Sequence, residues 1–241
     1  MVCEFRASPA TFIARPNRFR VEARLHETGE IISAHCADPG RLRELLLPDV
    51  TVYVSKAAEN SKRKTDYDLH FVEHPDHGQL VSLNTQLPNK IVWEGLQRGD
   101  FEPFRGCGEI LREVHLAERL GIDNKSRIDF WLLDRNQRPC WIEAKSVSLV
   151  EDGVALFPDA PTKRGQRHLH VLTQLAEKGY RAAVLFIVQR PDAVCFRPNR
   201  ATDPDFADAL AAAEQAGVEI YVYTCNLTLT EVWIAEQIPM G

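Results

Sequence analysis

Two neighbouring apolar segments, Arg127-Ile128-Asp129-Phe130-Trp131-Leu132-Leu133 and Cys140-Trp141-Ile142-Glu143-Ala144-Lys145-Ser146, each carry charge in their interior. Both read as β-strands, and the short turn Asn136-Gln137-Arg138 makes them antiparallel neighbours. An unpaired carboxylate or ammonium in such a strand is costly, so the fold must compensate Asp129, Glu143 and Lys145. Side chains two apart on a strand share a face, so Glu143 and Lys145 project together while Ile142 and Ala144 face the other way. The hairpin can bring the Asp129 carboxylate close to that of Glu143, and two carboxylates repel unless a cation sits between them.

Oxygen ligands of this kind suit Mg²⁺ or Mn²⁺, which bind through one or two carboxylates and leave the remaining positions to water and phosphate oxygens. Such an ion acidifies its water and neutralises charge on a phosphodiester, and Lys145 would orient or deprotonate that water. Phosphodiester hydrolysis is the reaction class that uses all three groups. A structural salt bridge from Lys145 to Glu143 or Asp129 uses the same residues, and spacing alone leaves both readings open.

Around this hairpin the pattern predicts two domains, 1–83 and 84–241, in a chain of 241 residues. Thr11–Ala14, Phe19–His26, Ile31–Cys36, Val50–Ser55, Tyr67–Glu73 and Gln79–Leu83 read as short strands, interrupted by a predicted helix over Arg41–Leu47 that Pro48 stops. Short strands broken once by a helix suit a small barrel of the five-stranded OB type. From Asn84 the pattern turns helical, with Pro88–Gln97 as the first helix, then strands Ile110–His115, Arg127–Leu133 and Cys140–Val147. Helix Arg164–Lys178, the continuous apolar strand Ala182–Val188, helix Asp205–Ala216 and strand Val218–Tyr223 complete an α/β sandwich. The fold class expected is α+β with two domains.

Six scattered cysteines without a C-x-x-C pair read as reduced core thiols. The amino terminus lacks the apolar stretch of a signal peptide, and no apolar run nears the roughly 20 residues of a membrane span. A cytoplasmic protein with no membrane partner is expected.

The residues carrying the charged hairpin resemble a known family. Ser126-Arg127-Ile128-Asp129-Phe130, Ile142-Glu143-Ala144-Lys145-Ser146-Val147 and the long stretch Phe157-Pro158-Asp159-Ala160-Pro161-Thr162-Lys163-Arg164-Gly165-Gln166-Arg167-His168-Leu169 look like the sugar fermentation stimulation protein A family. Pro39-Gly40-Arg41-Leu42-Arg43-Glu44-Leu45-Leu46 and Asn84-Thr85-Gln86-Leu87-Pro88-Asn89 match it as well, in the same order along nearly the whole chain. The resemblance implies an amino-terminal OB domain joined to a PD-(D/E)xK nuclease-like domain, DNA as partner, and a link to sugar, especially maltose, metabolism. It further implies Asp129 and Glu143 as metal carboxylates, Lys145 as the catalytic lysine, and Glu94 at the place of a further acid. A non-catalytic DNA-binding regulator of sugar metabolism is the alternative, and a homo-oligomer is left open. The family often shows Asn-Thr-Gly where this chain has Asp38-Pro39-Gly40.

Gln166 and Arg164 open the helix after the hairpin, where free N–H groups suit a phosphate, so Gln166 joins the candidate catalytic residues and Arg164 the nucleic-acid contacts. With a net charge of -5, any nucleic-acid surface must be a local basic patch. The candidates are Arg18 and Arg20 on one strand face, Arg41 and Arg43 by the predicted helix start, and the run Lys62-Arg63-Lys64, with Phe19 and Tyr67 available for base stacking. No Walker loop, G-x-S-x-G or paired H-x-x-x-H competes with this reading.

Overall fold

A computed structural model of the chain describes residues 6–58, 65–121 and 126–241. Strands β1 (Ser8–Asn17), β2 (Arg20–Leu25), β3 (Ile31–Cys36), β4 (Thr51–Lys56) and β5 (Tyr67–Glu73) lie in the order β3-β2-β1-β4-β5, and a parallel pairing of β3 with β5 closes them into a barrel. Alternation decides what fills it. Val21, Ala23 and Leu25 from β2, and Ile32, Ala34 and Cys36 from β3, are buried, while the residues between them lie nearer the surface. This is the expected five-stranded OB barrel, and β6 (Leu80–Ser82) extends its sheet from β5.

The helix expected over Arg41–Leu47 does not form. Leu42 has a φ of 50°, in the left-handed region, and the Leu46 N–H reaches the Leu42 carbonyl at 3.0 Å to close one turn only. The left-handed backbone at Leu42 interrupts the helical run right after Gly40, and Pro48 closes the stretch from the other end. The leucine spacing instead buries Leu42 and Leu45 among the barrel side chains.

The carboxyl-terminal elements are α1 (Leu87–Arg98), β7 (Ile110–His115), α2 (Leu116–Leu120), β8 (Arg127–Leu133), β9 (Pro139–Val147), β10 (Val150–Glu151), β11 (Val154–Phe157), α3 (Lys163–Glu177), β12 (Arg181–Val188), β13 (Cys195–Pro198), α4 (Pro204–Gln215), β14 (Glu219–Leu227) and β15 (Val232–Gln237). A mixed sheet runs β15-β14-β12-β9-β8-β7, in which β9, β12 and β14 are parallel. One face, bearing Phe130, Leu132, Ile142, Leu185 and Ile187, packs on Ile91, Val92 and Leu96 of α1. The other, bearing Trp131, Trp141, Val184 and Phe186, packs on Leu169 and Leu172 of α3 and Phe206 and Leu210 of α4. Burial on both faces explains why Ala182–Val188 is apolar throughout. A small sheet, β10-β11-β13, and the edge strand β15 add to the predicted elements.

The two domains meet in a hydrogen-bonded seam. Ser148 Oγ donates to Asp38 Oδ2 at 2.8 Å, and the Leu42 N–H donates to Asp159 Oδ2 at 2.9 Å. Arg15 stiffens the barrel's side of it by donating to the carbonyls of Arg18, Asp38, Gly40 and Arg41 at 2.7–2.9 Å. Gly40 sits where a Cβ would come within 2.6 Å of Asp159 Oδ2 and 2.9 Å of Asp38 Oδ1. Gly40→Ala should therefore lower stability by about 1–3 kcal/mol through overpacking, measured by urea unfolding. A wild-type midpoint would mean the seam yields freely.

Candidate active site

The geometry of the site begins at the β8–β9 turn. Asp134 is buried and accepts the N–H groups of Asn136 at 2.8 Å and Arg138 at 3.0 Å, and Gln137 takes a φ of 60°. The turn sets the register Trp131↔Trp141 and Phe130↔Ile142, and one further step along it places Asp129 opposite Glu143. There the ladder gives way to side-chain bonding. The Ala144 N–H donates to Asp129 Oδ2 at 2.9 Å, and Asn89 Nδ2, from the first turn of α1, donates to Asp129 Oδ1 at 3.1 Å.

Glu143 is 2% exposed, and the alternation of β9 turns it with Lys145 to the face of Trp141, beneath α3. Its Oε1 accepts from both Lys145 Nζ and His168 Nδ1, the latter reaching down from α3 and itself 3% exposed. A carboxylate can only accept, so His168 carries its proton on Nδ1. Oε2 of Glu143 is buried and has no hydrogen-bond partner among the described residues.

These contacts separate the two acids. Burial pushes the Glu143 carboxyl up, but the Lys145 ammonium and the His168 bond together outweigh it and bring the pKa to about 2. Asp129 goes the other way. Burial and the Glu143 charge raise it to about 6, against the opposing pull of Lys145, the Ala144 N–H and Asn89.

A cleft of about 350 Å³ opens beside Lys145 between the domains, lined by Arg18 and Gly40 from the barrel and by Lys145, Ser146, Asp159 and Arg164 from the sandwich. Three of the candidate residues, Arg18, Lys145 and Arg164, thus face one space. Glu94 lies five residues beyond Asn89, about 7.5 Å further along the α1 axis, and pairs with Arg98 at 3.2 Å. Asn89 reaches Asp129 from the first turn of the same helix. Gln166 is also held elsewhere, because its Nε2 donates at 2.8 Å to Asp203, which caps α4 and accepts the Thr162 N–H. It fastens α3 to the start of α4 and stands outside the carboxylate pair.

Arg20 is paired with Glu22 at 2.8 Å, whereas Arg41 and Arg43 are exposed on the turn that follows Gly40. Lys62, Arg63 and Lys64 lie outside the described residues. His168 was legible as a candidate. It precedes Leu172 by four residues and Leu175 by seven, which puts a polar ring on the buried stripe of its helix.

Comparison with known proteins agrees with both halves of this architecture. Residues 86–231 match the family model "Sugar fermentation stimulation protein RE domain", and residues 13–83 match "SfsA N-terminal OB domain". The chain belongs to the sugar fermentation stimulation protein family. Among relatives of that family, the homolog from Moorella thermoacetica is 47% identical over 90% of this chain and 89% of its own. The homolog from Methanobrevibacter smithii is 42% identical over 90% of each chain. A solved structure, described as Pyrococcus furiosus SfsA in complex with Ca²⁺, superposes with a TM-score of 0.85 at 30% identity, covering 100% of this chain and 98% of that one. Among the described residues, no helix is long and apolar enough to cross a membrane.

The raised pKa of Asp129 makes stability depend on pH with a definite sign. A carboxyl whose folded pKa exceeds its unfolded value favours folding while protonated, and that contribution is lost as pH rises from about 4 through about 6. In metal-free protein, Asp129→Asn should remove this loss and gain on the order of 1–3 kcal/mol relative to wild type at pH 8, with little gain at pH 4. Urea unfolding in chelator at the two pH values checks it. An Asp129→Asn variant that is destabilised equally at both would contradict the electrostatic account.

Proposed function

We propose that this chain is a DNA-binding protein that hydrolyses phosphodiester bonds, with Asp129 and Glu143 holding Mg²⁺ or Mn²⁺ and Lys145 as the catalytic lysine. The observation that carries the proposal is the bare, buried Oε2 of Glu143 opposite a second carboxylate. A salt bridge serving only the fold would use both carboxylate oxygens, because buried polar atoms without partners are costly. Here both basic groups, Lys145 and His168, converge on Oε1, which leaves Oε2 without a donor among the described residues.

Two carboxylates fit a hard divalent cation. Among the described residues no group of three or more His, Cys, Asp and Glu forms a cage, and Mg²⁺ needs none, since it keeps several waters and is commonly held by one or two carboxylates. The Pyrococcus furiosus relative is described in complex with Ca²⁺, an ion of the same oxygen preference, which supports the reading. When bound, such an ion lowers the pKa of its water and neutralises charge on the phosphodiester.

The chain's own residues supply the rest. Lys145, at the wall of the cleft, orients the attacking water and offsets charge on the phosphate. His168 holds Glu143 through Oε1, which keeps Oε2 available. Asn89 and the Ala144 N–H hold Asp129 in place. The reading follows the PD-(D/E)xK resemblance of Asp129, Glu143 and Lys145 in the sequence.

The test is cleavage of a labelled DNA in Mn²⁺, with metal binding followed by calorimetry. Asp129→Ala should lose metal binding and cleavage together, and Lys145→Ala should keep metal while losing at least about 100-fold in rate. Full activity in either variant would end the proposal. DNA binding by a wild-type protein that takes up no Mn²⁺ would favour the non-catalytic regulator instead.

A further inference from the structure

We infer that the outer face of α3 is a track for the DNA backbone, on which Lys163, Arg167, His170 and Gln174 hold phosphates of DNA running on from the interdomain cleft. This inference rests on the reading of the chain as a DNA-binding nuclease, and it assigns that reading a second contact surface, outside the barrel.

The helix has two faces of opposite character. His168, Leu169, Val171, Leu172 and Leu175 are buried, and His168 reaches Glu143 from that side. Lys163, Arg167, His170 and Gln174 are exposed, and steps of four, three and four residues set them in one row along the outer side. All four line a single groove.

The row is uncompensated. Lys163, Arg167 and His170 have no ion-pair partner among the described residues, and the only acid of α3 is Glu177, its last residue. This concentration stands out in a chain whose net charge is -5.

Helix electrostatics would place charge the other way round. The amino-terminal end of a helix is the positive end of its dipole, so acids stabilise the first turn and cations there cost about 0.3–1 kcal/mol each. α3 opens on Lys163 and Arg164 with no acid in that turn. Packing does not account for this choice, whereas a bound polyanion does, because it supplies the missing negative charge.

Continuity selects DNA as that polyanion. Arg164, the neighbour of Lys163, lines the cleft together with Lys145, so the row begins one residue from the cleft wall. Lys163 and His170 stand about 10 Å apart along the helix axis, which is the rise of about three nucleotides on one strand. Long cationic side chains and an amide in a straight row suit phosphate oxygens, contacts that position DNA without reading its sequence.

The experiment is fluorescence anisotropy of the full chain in chelator, titrated with salt, on a labelled duplex and a labelled single strand of equal length. Arg167→Glu should weaken binding at least about tenfold, Arg167→Lys should retain it, and Lys163→Gln with Arg167→Gln should lower the slope of log affinity against log salt by about two on duplex. Arg135→Glu, on the β8–β9 turn at the far end of β9 from Lys145, should change affinity less than about twofold. The DNA form that shows the loss is the one the track holds. Unchanged affinity for both forms in Arg167→Glu, or an equal loss in Arg135→Glu, would overturn the track. Displacement of the DNA by polyglutamate at equal charge would overturn it in favour of an acidic protein partner. The same DNAs with Mn²⁺ separate this from the parent reading: cleavage and binding that are both untouched in Arg167→Glu remove the track and keep hydrolysis, whereas Arg167-dependent binding without cleavage keeps the track and removes hydrolysis.

Discussion

An ionised carboxylate inside an apolar sheet is the constraint around which the carboxyl-terminal domain is arranged. Glu143 lies on β9, flanked by β8 and β12, where desolvation of a charge costs several kcal/mol unless it is paired. Lys145 answers it from the same strand and His168 from the helix above, so β9 and α3 are joined by charge as well as by packing. Asp129 then bears the electrostatic penalty of its neighbour and stays ionised only above about pH 6.

The barrel is more than an appended module. Its Asp38-Pro39-Gly40 loop reaches the sandwich, and Asp38 uses one oxygen for the Gly40 N–H and the other for Ser148. The departure from Asn-Thr-Gly thus places an acid in the seam, where burial raises its pKa. Asp159 closes the seam from the other side by taking the N–H of Leu42. The same contact gives the Leu42 N–H an acceptor outside its own turn. Domain docking and site shape are therefore one problem in this molecule.

Local signals were legible where periodicity and burial agree. The β8–β9 hairpin, α1, α3, β12 and α4 appear within one or two residues of their expected bounds, because each repeats its apolar residues over enough length to leave one arrangement. Arg41–Leu47 failed this condition, since leucines at helical spacing serve a single buried turn equally well. β10, β11 and β13 are only two to four residues long and carry no measurable period. Among the candidate site residues, Arg18, Lys145 and Arg164 share the cleft, while Gln166 caps the approach of two helices and Glu94 sits beyond Asn89. Counting along a helix does not reveal which turn abuts the acids.

What the sequence by itself determined is the hairpin and its two faces: strand period puts Glu143 and Lys145 together, and the short turn Asn136-Gln137-Arg138 makes the strand of Asp129 the antiparallel neighbour of theirs. What only tertiary structure decided is which groups complete them. His168 and Asn89 come from separate helices, and Arg18 comes from the other domain, at sequence distances that no local pattern spans. The physical reason is that backbone geometry dictates short-range neighbours, whereas the partners of a buried charge are chosen by how whole layers pack around it.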